Sequence, residues 1–168
     1  MREVKFRGKD SDTGEWRYRY YAQHEKVTLC PVCENKEAFE KAVVENTEHY
    51  IIFDGFSGWN MTRAFYRANV DGKTVGQYTG MKDCNGKEIY EGDIVKTNYD
   101  DVGVVAMGEH NGVNGSEAFN IGFYIIWDSF DDRSWMRNEL LYFIKKIGVT
   151  VIGNRWDNPE LLGGVASD

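Results

Sequence analysis

Two cysteines in the run Cys30-Pro31-Val32-Cys33 have the clearest chemical potential in this sequence. Thiols spaced by two residues at a helix start can act as a dithiol–disulfide couple, because the helix dipole and nearby N–H groups favour the thiolate. A redox fold of this kind also needs alternating strands and helices and a proline loop beside the dithiol. The other proline of this chain is Pro159, near the C-terminus, so the sequence offers no such loop.

The same two thiols could supply half of a structural zinc site. Tetrahedral Cys/His sites usually pair two short knuckles, and this chain has one. We therefore interpret Cys30 and Cys33 as reduced cysteines in a turn, and we keep zinc binding and redox chemistry as alternatives. The residues that could complete four zinc ligands are His24, His49, Cys84 and His110.

The run WRYRYY interleaves rings with guanidinium groups, and its first four residues are Trp16, Arg17, Tyr18 and Arg19. That combination can stack bases and neutralise phosphates, so single-stranded nucleic-acid binding that needs Trp16 and Arg17 is one alternative function. On a strand, however, the period of two places the rings on one face and the two arginines on the other. We therefore favour rings that face the core and arginines that face solvent.

Catalytic and cofactor motifs are lacking in the sequence. The pairs Asp100-Asp101 and Asp131-Asp132 lie among turn signals, and adjacent side chains diverge on an extended chain. The triplet Glu109-His110-Asn111 could offer a general base, but no G-x-S-x-G nucleophile motif accompanies it. Phosphate-loop, dinucleotide and H-E-x-x-H motifs are absent as well. We expect no catalytic residue and no cofactor, and hence a protein that is not an enzyme.

Charge is distributed unevenly along the chain. Residues 1–70 hold 11 Lys+Arg and 11 Asp+Glu, whereas residues 71–168 hold 9 and 16, so the second part carries the net charge of −7. Sequence-independent binding to nucleic acid needs clustered positive charge that displaces condensed counterions. We therefore expect no such binding, and the acidic second part suits a basic partner.

The composition is that of a soluble globular chain, with 42% hydrophobic and 28% charged residues and no apolar run near the roughly 20 residues of a membrane span. The charged start MREVKFRGKD lacks the apolar core of a signal peptide. Three cysteines are an odd number and too few for the disulfide framework of a small secreted protein. We expect a cytoplasmic protein without a membrane partner.

The first third of the chain predicts a hairpin followed by a helix. Apolar and charged residues alternate on both sides of the turn sequence KDSDTGE, which is typical of a β-hairpin over residues 1–21. The run NKEAFEKAVVEN has helical spacing, with Phe39, Ala42 and Val43 on one face and Asn35 as a candidate N-cap. This run predicts the principal helix of the protein.

The remainder of the chain predicts short strands joined by glycine turns, including a hairpin turn at Asp71-Gly72. The segments GDIVKTNY, VGVVAM, FNIGFYIIWD and VTVIG each predict a strand, whereas SWMRNELLYFIKKIG mixes helix and strand character. Short strands with short connections favour a small closed barrel. The predicted fold is mainly β, an α+β arrangement with one principal helix, in which residues 1–75 form a hairpin-plus-helix region and residues 76–168 an SH3-like barrel.

The stretch QYTGMKDCNGKEIYEGDIV, residues 77–95, predicts structure rather than catalysis. Asn85-Gly86 is typical of a type I′ hairpin turn, because both turn positions need positive φ. Gly92-Asp93 precedes the apolar residues Ile94 and Val95 and is similar to the opening of SH3-like small barrels. Such barrels mostly bind peptides or nucleic acid.

Four segments together resemble the YopX family of phage and prophage proteins: MREVKFRG at the start, QYTGMKD, NGKEIYEGDIV just after it, and VIGNRWDNPELL near the end. Their order and spacing over positions 1–162 make the match specific, although residues 22–70 carry none of them. The resemblance implies a phage-borne, mostly β protein with no established activity, so it supplies no site residues. The CPVC run departs from the family pattern.

We therefore expect a non-catalytic phage or prophage accessory protein in the cytoplasm of a bacterial host, whose barrel is an interaction module for a host or phage protein. Nucleic-acid association through Trp16–Tyr21 is the first alternative, and a dithiol or zinc protein centred on Cys30 and Cys33 is the second. Exposed barrel and hairpin edges also make a homo-oligomer an expectation, because their unpaired backbone groups can pair with another copy.

Overall fold

The computed structural model of the chain describes residues 4–26, 36–55, 58–111, 119–127 and 139–163. The chain divides into two compact units: an N-terminal unit, Val4–Gly76, and a C-terminal unit that begins at Gln77. Antiparallel strands dominate both units, so the predicted mainly β fold is confirmed. No helix within the described ranges is long and apolar enough to cross a membrane.

The N-terminal unit contains four strands that pair antiparallel in the spatial order β4-β3-β2-β1. Their bounds are β1 Phe6–Lys9, β2 Trp16–Glu25, β3 Thr47–Gly55 and β4 Ala64–Asn69. The predicted hairpin is confirmed, because β2 pairs with the whole of β1. Its turn depends on Asp10, whose carboxylate accepts the backbone N–H groups of Asp12 and Thr13.

The predicted principal helix is confirmed as α1, Lys36–Asn46. Phe39, Ala42 and Asn46 are the more buried residues of this helix, and their spacing of three and four positions defines one side of it. Two i,i+4 Lys/Glu ion pairs form on its exposed surface. The candidate N-cap Asn35 lies outside the described residues.

The connection after β4 differs from the prediction. Asp71 caps a short 3-10 turn, Gly72–Thr74, by accepting the backbone N–H of Lys73 on Oδ1. Gly72 does not adopt a positive φ. The hairpin turn predicted at Asp71-Gly72 was therefore wrong, because the same dipeptide also suits a turn that an aspartate side chain caps.

In the C-terminal unit, the described residues hold six strands and one α-helix. β5 pairs with β6, and the other four strands form an antiparallel sheet in the order β10-β7-β8-β9. The bounds are β5 Gly76–Lys82, β6 Glu88–Tyr90, β7 Asp93–Thr97, β8 Val102–Asn111, β9 Phe119–Trp127, α2 Leu140–Lys146 and β10 Val149–Asn154. The core of this unit contains Ile89, Val95, Val105, Ile125, Leu140, Phe143, Val149 and Val151.

The helix α2 forms where the sequence pattern was mixed. Its buried residues Leu140 and Phe143 are three positions apart, which is helical spacing, and the helix packs on β9. The four C-terminal strands expected from the sequence are present as β7 to β10. Closure of an SH3-like barrel is not detected among the described residues.

Residues 77–95 have a structural role that centres on the buried carboxylate of Asp83. Its Oδ1 accepts the N–H groups of Asn85 and Lys87, and its Oδ2 accepts the N–H of Val151 in β10. The loop between β5 and β6 therefore spans more than two residues, and in it only Gly86 has a positive φ, of 81°. The type I′ turn predicted at Asn85-Gly86 was wrong, because the Asp83 side chain organises a longer loop.

Gly92 turns the chain into β7 with a φ of 79°, a conformation that favours glycine. Its N–H donates to the carbonyl of Val105. The ring of Trp156 lies against Gly92 so closely that a Cβ there would overlap it. The next residue, Asp93, is buried and accepts the N–H of Tyr90. The Gly-Asp pair thus fixes the start of this strand.

Candidate functional site

One face of the N-terminal sheet exposes aromatic rings. Trp16, Tyr18 and Tyr20 alternate onto this face, and Tyr18 and Tyr20 are 47% and 55% exposed. The opposite face is the packed one, since it carries Tyr21 opposite the fully buried Ile51 of β3. The interpretation of rings in the core was therefore wrong: alternation fixes which rings share a face, but strand pairing decides which face packs.

Neighbouring strands extend this exposed face. Ile52 lies opposite Tyr20 and Tyr50 lies two residues away on β3, while Phe65 of β4 is 76% exposed on the same side. No local signal in the sequence marks Tyr50 and Phe65 as members of one surface. We define the aromatic–arginine face as the surface formed by Trp16, Tyr18, Tyr20, Tyr50, Phe65, Arg7 and Arg67, together with the guanidinium group of Arg19. Alternation assigns Arg19 to the other face, but its side chain reaches Tyr20 and Asp54 on this one.

Three guanidinium groups lie over rings of this face. The arginine Cζ lies 4.8 Å from the ring centre for Arg7 on Trp16, 5.9 Å for Arg19 on Tyr20, and 4.8 Å for Arg67 on Tyr50. These separations lie within the roughly 6 Å range of cation–π contacts. Arg7 and Arg67 belong to β1 and β4, so rings and guanidinium groups share a surface that alternation along β2 alone could not reveal.

The three arginines differ in their availability to a ligand. Arg7 is buried, and so it supports the Trp16 ring rather than presenting charge to solvent. Arg19 forms an ion pair with Asp54 at 3.1 Å. Arg67 is exposed and forms no ion pair among the described residues. Arg67 is therefore the guanidinium group best placed to meet an anionic ligand.

Arg17 lies on the opposite face, as alternation predicted. Its guanidinium group is over the ring of Phe53 at 5.7 Å, and it forms ion pairs with Asp10 at 3.0 Å and Glu15 at 3.3 Å. The Thr13 N–H and then the Arg17 hydrogen bond hold the pKa of Asp10 below its usual value. Arg17 therefore stabilises the hairpin and does not belong to the aromatic–arginine face.

Two carboxylates border the face and limit its positive charge. Asp54 accepts from Arg63 at 2.7 Å, and this hydrogen bond, together with the charge of Arg19, lowers the pKa of Asp54. Glu48 accepts from the hydroxyl of Tyr50 at 2.6 Å, which lowers the pKa of Glu48 and raises the pKa of Tyr50. Both acids are ionised at neutral pH, so the face suits ring stacking with a modest attraction for phosphate.

Cys30 and Cys33 lie outside the described residues, so the dithiol and zinc interpretations stay predictions. Within the described ranges, no group of three or more His, Cys, Asp or Glu residues could hold a metal. The four candidate ligands make separate contacts: His24 lies beside Glu48, His49 is hydrogen-bonded to the Tyr21 hydroxyl, Cys84 is exposed with a free thiol, and His110 contacts the Tyr124 ring.

The acidic pair Asp100-Asp101 belongs to the turn that follows β7. Asp100 forms an ion pair with Lys96 at 2.6 Å, and the N–H of Asp101 donates to the hydroxyl of Thr97. These contacts are those of a capped turn. The pair Asp131-Asp132 lies outside the described residues.

Comparison with known families gives a match over most of the chain. The family model described as YopX protein matches residues 5–163. The chain belongs to the YopX family. The YopX resemblance inferred from the sequence segments is therefore confirmed.

This YopX-family protein is also similar to a solved structure, the crystal structure of protein EF1440 from Enterococcus faecalis. The two chains are 22% identical, and the alignment covers 95% of this chain and 97% of that one with a TM-score of 0.37. None of the curated proteins matches this chain.

Proposed function

We propose that this YopX-family protein is a non-catalytic binding protein whose aromatic–arginine face holds single-stranded nucleic acid. The observation that carries the proposal is that guanidinium groups of three strands lie over rings of one exposed face. Rings with adjacent cations are what single-strand binding surfaces use, because each base offers a π-face and each nucleotide a phosphate.

The geometry of the sheet favours a short run of unstacked bases. Side chains at positions i and i+2 of a strand, such as Tyr18 and Tyr20, are about 6.6 Å apart on one face. Phe65 offers a third exposed ring on β4. Two or three rings in such an array can each stack a splayed base, as on other sheet surfaces that bind single strands.

Charge favours a single strand over a duplex. Duplex binding without base readout draws its affinity from many phosphate contacts, and the face offers few accessible cations beside the acids Asp54 and Glu48. Bases in a duplex are also stacked and unavailable to the rings. Ring stacking on a single strand needs less positive charge, which fits a chain with a net charge of −7.

The proposal places this binding in a phage or prophage accessory protein that acts in the bacterial cytoplasm, as the family resemblance implies. Support for a non-catalytic role comes from the face itself. Its carboxylates Asp54 and Glu48 are held by hydrogen bonds from Arg63 and Tyr50, and so are not poised as an acid–base pair.

Fluorescence anisotropy with labelled oligouridine and oligothymidine of about twelve nucleotides, within the site sizes of single-strand binding surfaces, tests the proposal at low salt. We expect saturable binding to both strands and much weaker binding to a duplex of the same length. Replacing Arg67→Gln should lower the affinity and reduce the salt slope by about 0.7, the contribution of one phosphate contact on a single strand.

Arg155→Gln is the matched control for this experiment. Arg155 is also exposed and also lies over a ring, that of Trp156 at 5.9 Å, but it belongs to the C-terminal unit. The control should leave affinity and salt slope near those of the unmodified protein. Equal binding to single strand and duplex, or equal losses in the two variants, would refute the proposed face.

A second candidate function is a protein-interaction module in the C-terminal unit for a host or phage protein. The observation that favours it is charge: residues 77–168 contain 8 Lys+Arg and 15 Asp+Glu, so this unit carries the whole net charge of the chain. A surface field of one sign attracts partners of the opposite sign and speeds their association. The expected partner is therefore basic.

A further inference from the structure

A cleft of about 680 Å³ opens in the C-terminal unit between β5, β9 and the start of α2. A volume of this size is typical of sites that take a small molecule or part of a peptide. Its lining combines the apolar side chains of Met81, Phe123 and Leu141 with the polar side chains of His110 and Glu139 and the backbone of Gly122.

The strand β9 offers an edge to this cleft. It is the last strand of its sheet, and within the described ranges its outer side forms one antiparallel bridge, between Tyr124 and Glu139. The residues just before that bridge, Asn120–Gly122, line the cleft. An extended peptide can continue the ladder along such an edge, where main-chain hydrogen bonds supply affinity and side-chain pockets supply specificity.

The charge of the cleft favours a cationic ligand. Among the described residues that line it, Glu139 is the one acidic group, and its side chain makes no hydrogen bond that caps α2. The carboxylate can therefore pair with a ligand cation without loss of the helix start. The net charge of −7 on the surrounding unit adds an attraction for cations over a longer range.

We propose that this cleft binds an extended, lysine- or arginine-containing segment of a partner protein. The segment adds to the edge of β9, its cation pairs with Glu139, and its aliphatic stems or apolar neighbours pack on Met81, Phe123 and Leu141. This inference rests on the second candidate function and names the site and the chemistry of its partner.

The experiment uses the full chain labelled with nitrogen-15 and two blocked probe peptides, Lys-Leu-Lys-Val-Lys and Glu-Leu-Glu-Val-Glu. The basic peptide should shift the amide resonances of Gly80, Ile121 and Gly122 in a saturable manner, and the acidic peptide should not. Glu139→Lys should weaken the basic peptide about tenfold, because an attraction becomes a repulsion of similar size. Glu160→Lys, the same charge reversal outside the cleft, is the matched control and should change the affinity less than twofold.

The outcomes distinguish failure of the cleft as the binding site from failure of the interaction-module proposal. Saturable shifts confined to other amides, or equal losses of peptide affinity in Glu139→Lys and Glu160→Lys, would show that the cleft is not the binding site. A basic partner would then bind elsewhere on the unit. Equal binding of the acidic peptide would overturn the preference for cations. Absence of binding by either peptide at millimolar concentration would count against both the cleft and the interaction module.

Discussion

Replacing Asp83→Ala should lower the free energy of unfolding by about 3–4 kcal/mol, since hydrogen bonds to a charged acceptor contribute about 1.5–3 kcal/mol each and part of that loss is recovered by hydration of the turn. Three backbone donors lose their acceptor at once: Asn85, Lys87 and Val151. The Val151 bond is buried, so water cannot replace the carboxylate there. Urea unfolding followed by circular dichroism measures the change.

Two further variants test whether the loss of stability comes from the Asp83 carboxylate itself. Asp83→Asn keeps one carbonyl oxygen for the turn but turns an amide donor towards one of the N–H groups, so it should lose less stability than Asp83→Ala. Cys84→Ser changes the exposed next residue and leaves its backbone bond to Val149 intact, so it should be nearly neutral. A neutral Asp83→Ala variant would show that the carboxylate does not join the loop to β10.

Gly92→Ala has the second large expected effect, a loss of about 3 kcal/mol. Of this, about 1–2 kcal/mol comes from the left-handed conformation and the rest from displacement of a packed ring. Gly92 has a φ of 79°, and a Cβ there would overlap the ring of Trp156. The same unfolding experiment measures it.

Gly86 provides the matched control because its φ is 81° but nothing lies within 4 Å of the Cβ position. Gly86→Ala should therefore cost about 1 kcal/mol, the backbone contribution alone. The double variant Gly92→Ala/Trp156→Ala should lose less than the two single losses added together. Equal losses for Gly92→Ala and Gly86→Ala would contradict the contact with Trp156.

Local sequence patterns were sufficient to predict the elements that short-range contacts stabilise. The hairpin of β1 and β2 follows from alternation and from turn chemistry that Asp10 completes within three residues. The helix α1 follows from the spacing of Phe39 and Ala42. The family could be identified as well, because its segments are short, specific and in fixed order.

Features that depend on distant contacts could not be read from the sequence. The Asn85-Gly86 dipeptide predicted a two-residue turn, but the Asp83 carboxylate that organises the loop also binds Val151, 68 residues away. The helix α2 has a mixed sequence pattern, and it forms where Leu140 and Phe143 enter the core of the C-terminal unit. Tertiary burial overrides weak local preference in such segments.

The aromatic–arginine face shows most clearly that contacts between distant strands could not be predicted from the sequence. Alternation along β2 correctly grouped Trp16, Tyr18 and Tyr20, but it could not say which face would pack. That choice depends on β3, which places Ile51 on the side of Tyr21. The arginines over the rings come mostly from β1 and β4, and their positions follow only from the order of the strands.

The most direct test of single-strand binding by the aromatic–arginine face compares Tyr18→Ala with Tyr66→Ala. Fluorescence anisotropy measures the affinity of each variant for oligouridine. Both tyrosines are 47% exposed, but Tyr66 lies on the opposite face of the sheet, stacked on Phe53. Tyr18→Ala should weaken binding about tenfold, the loss of one stacked base, and Tyr66→Ala should change it less than twofold. Equal effects of the two substitutions, or no effect of Tyr18→Ala in a folded protein that binds the strand, would contradict the aromatic–arginine face as the binding surface.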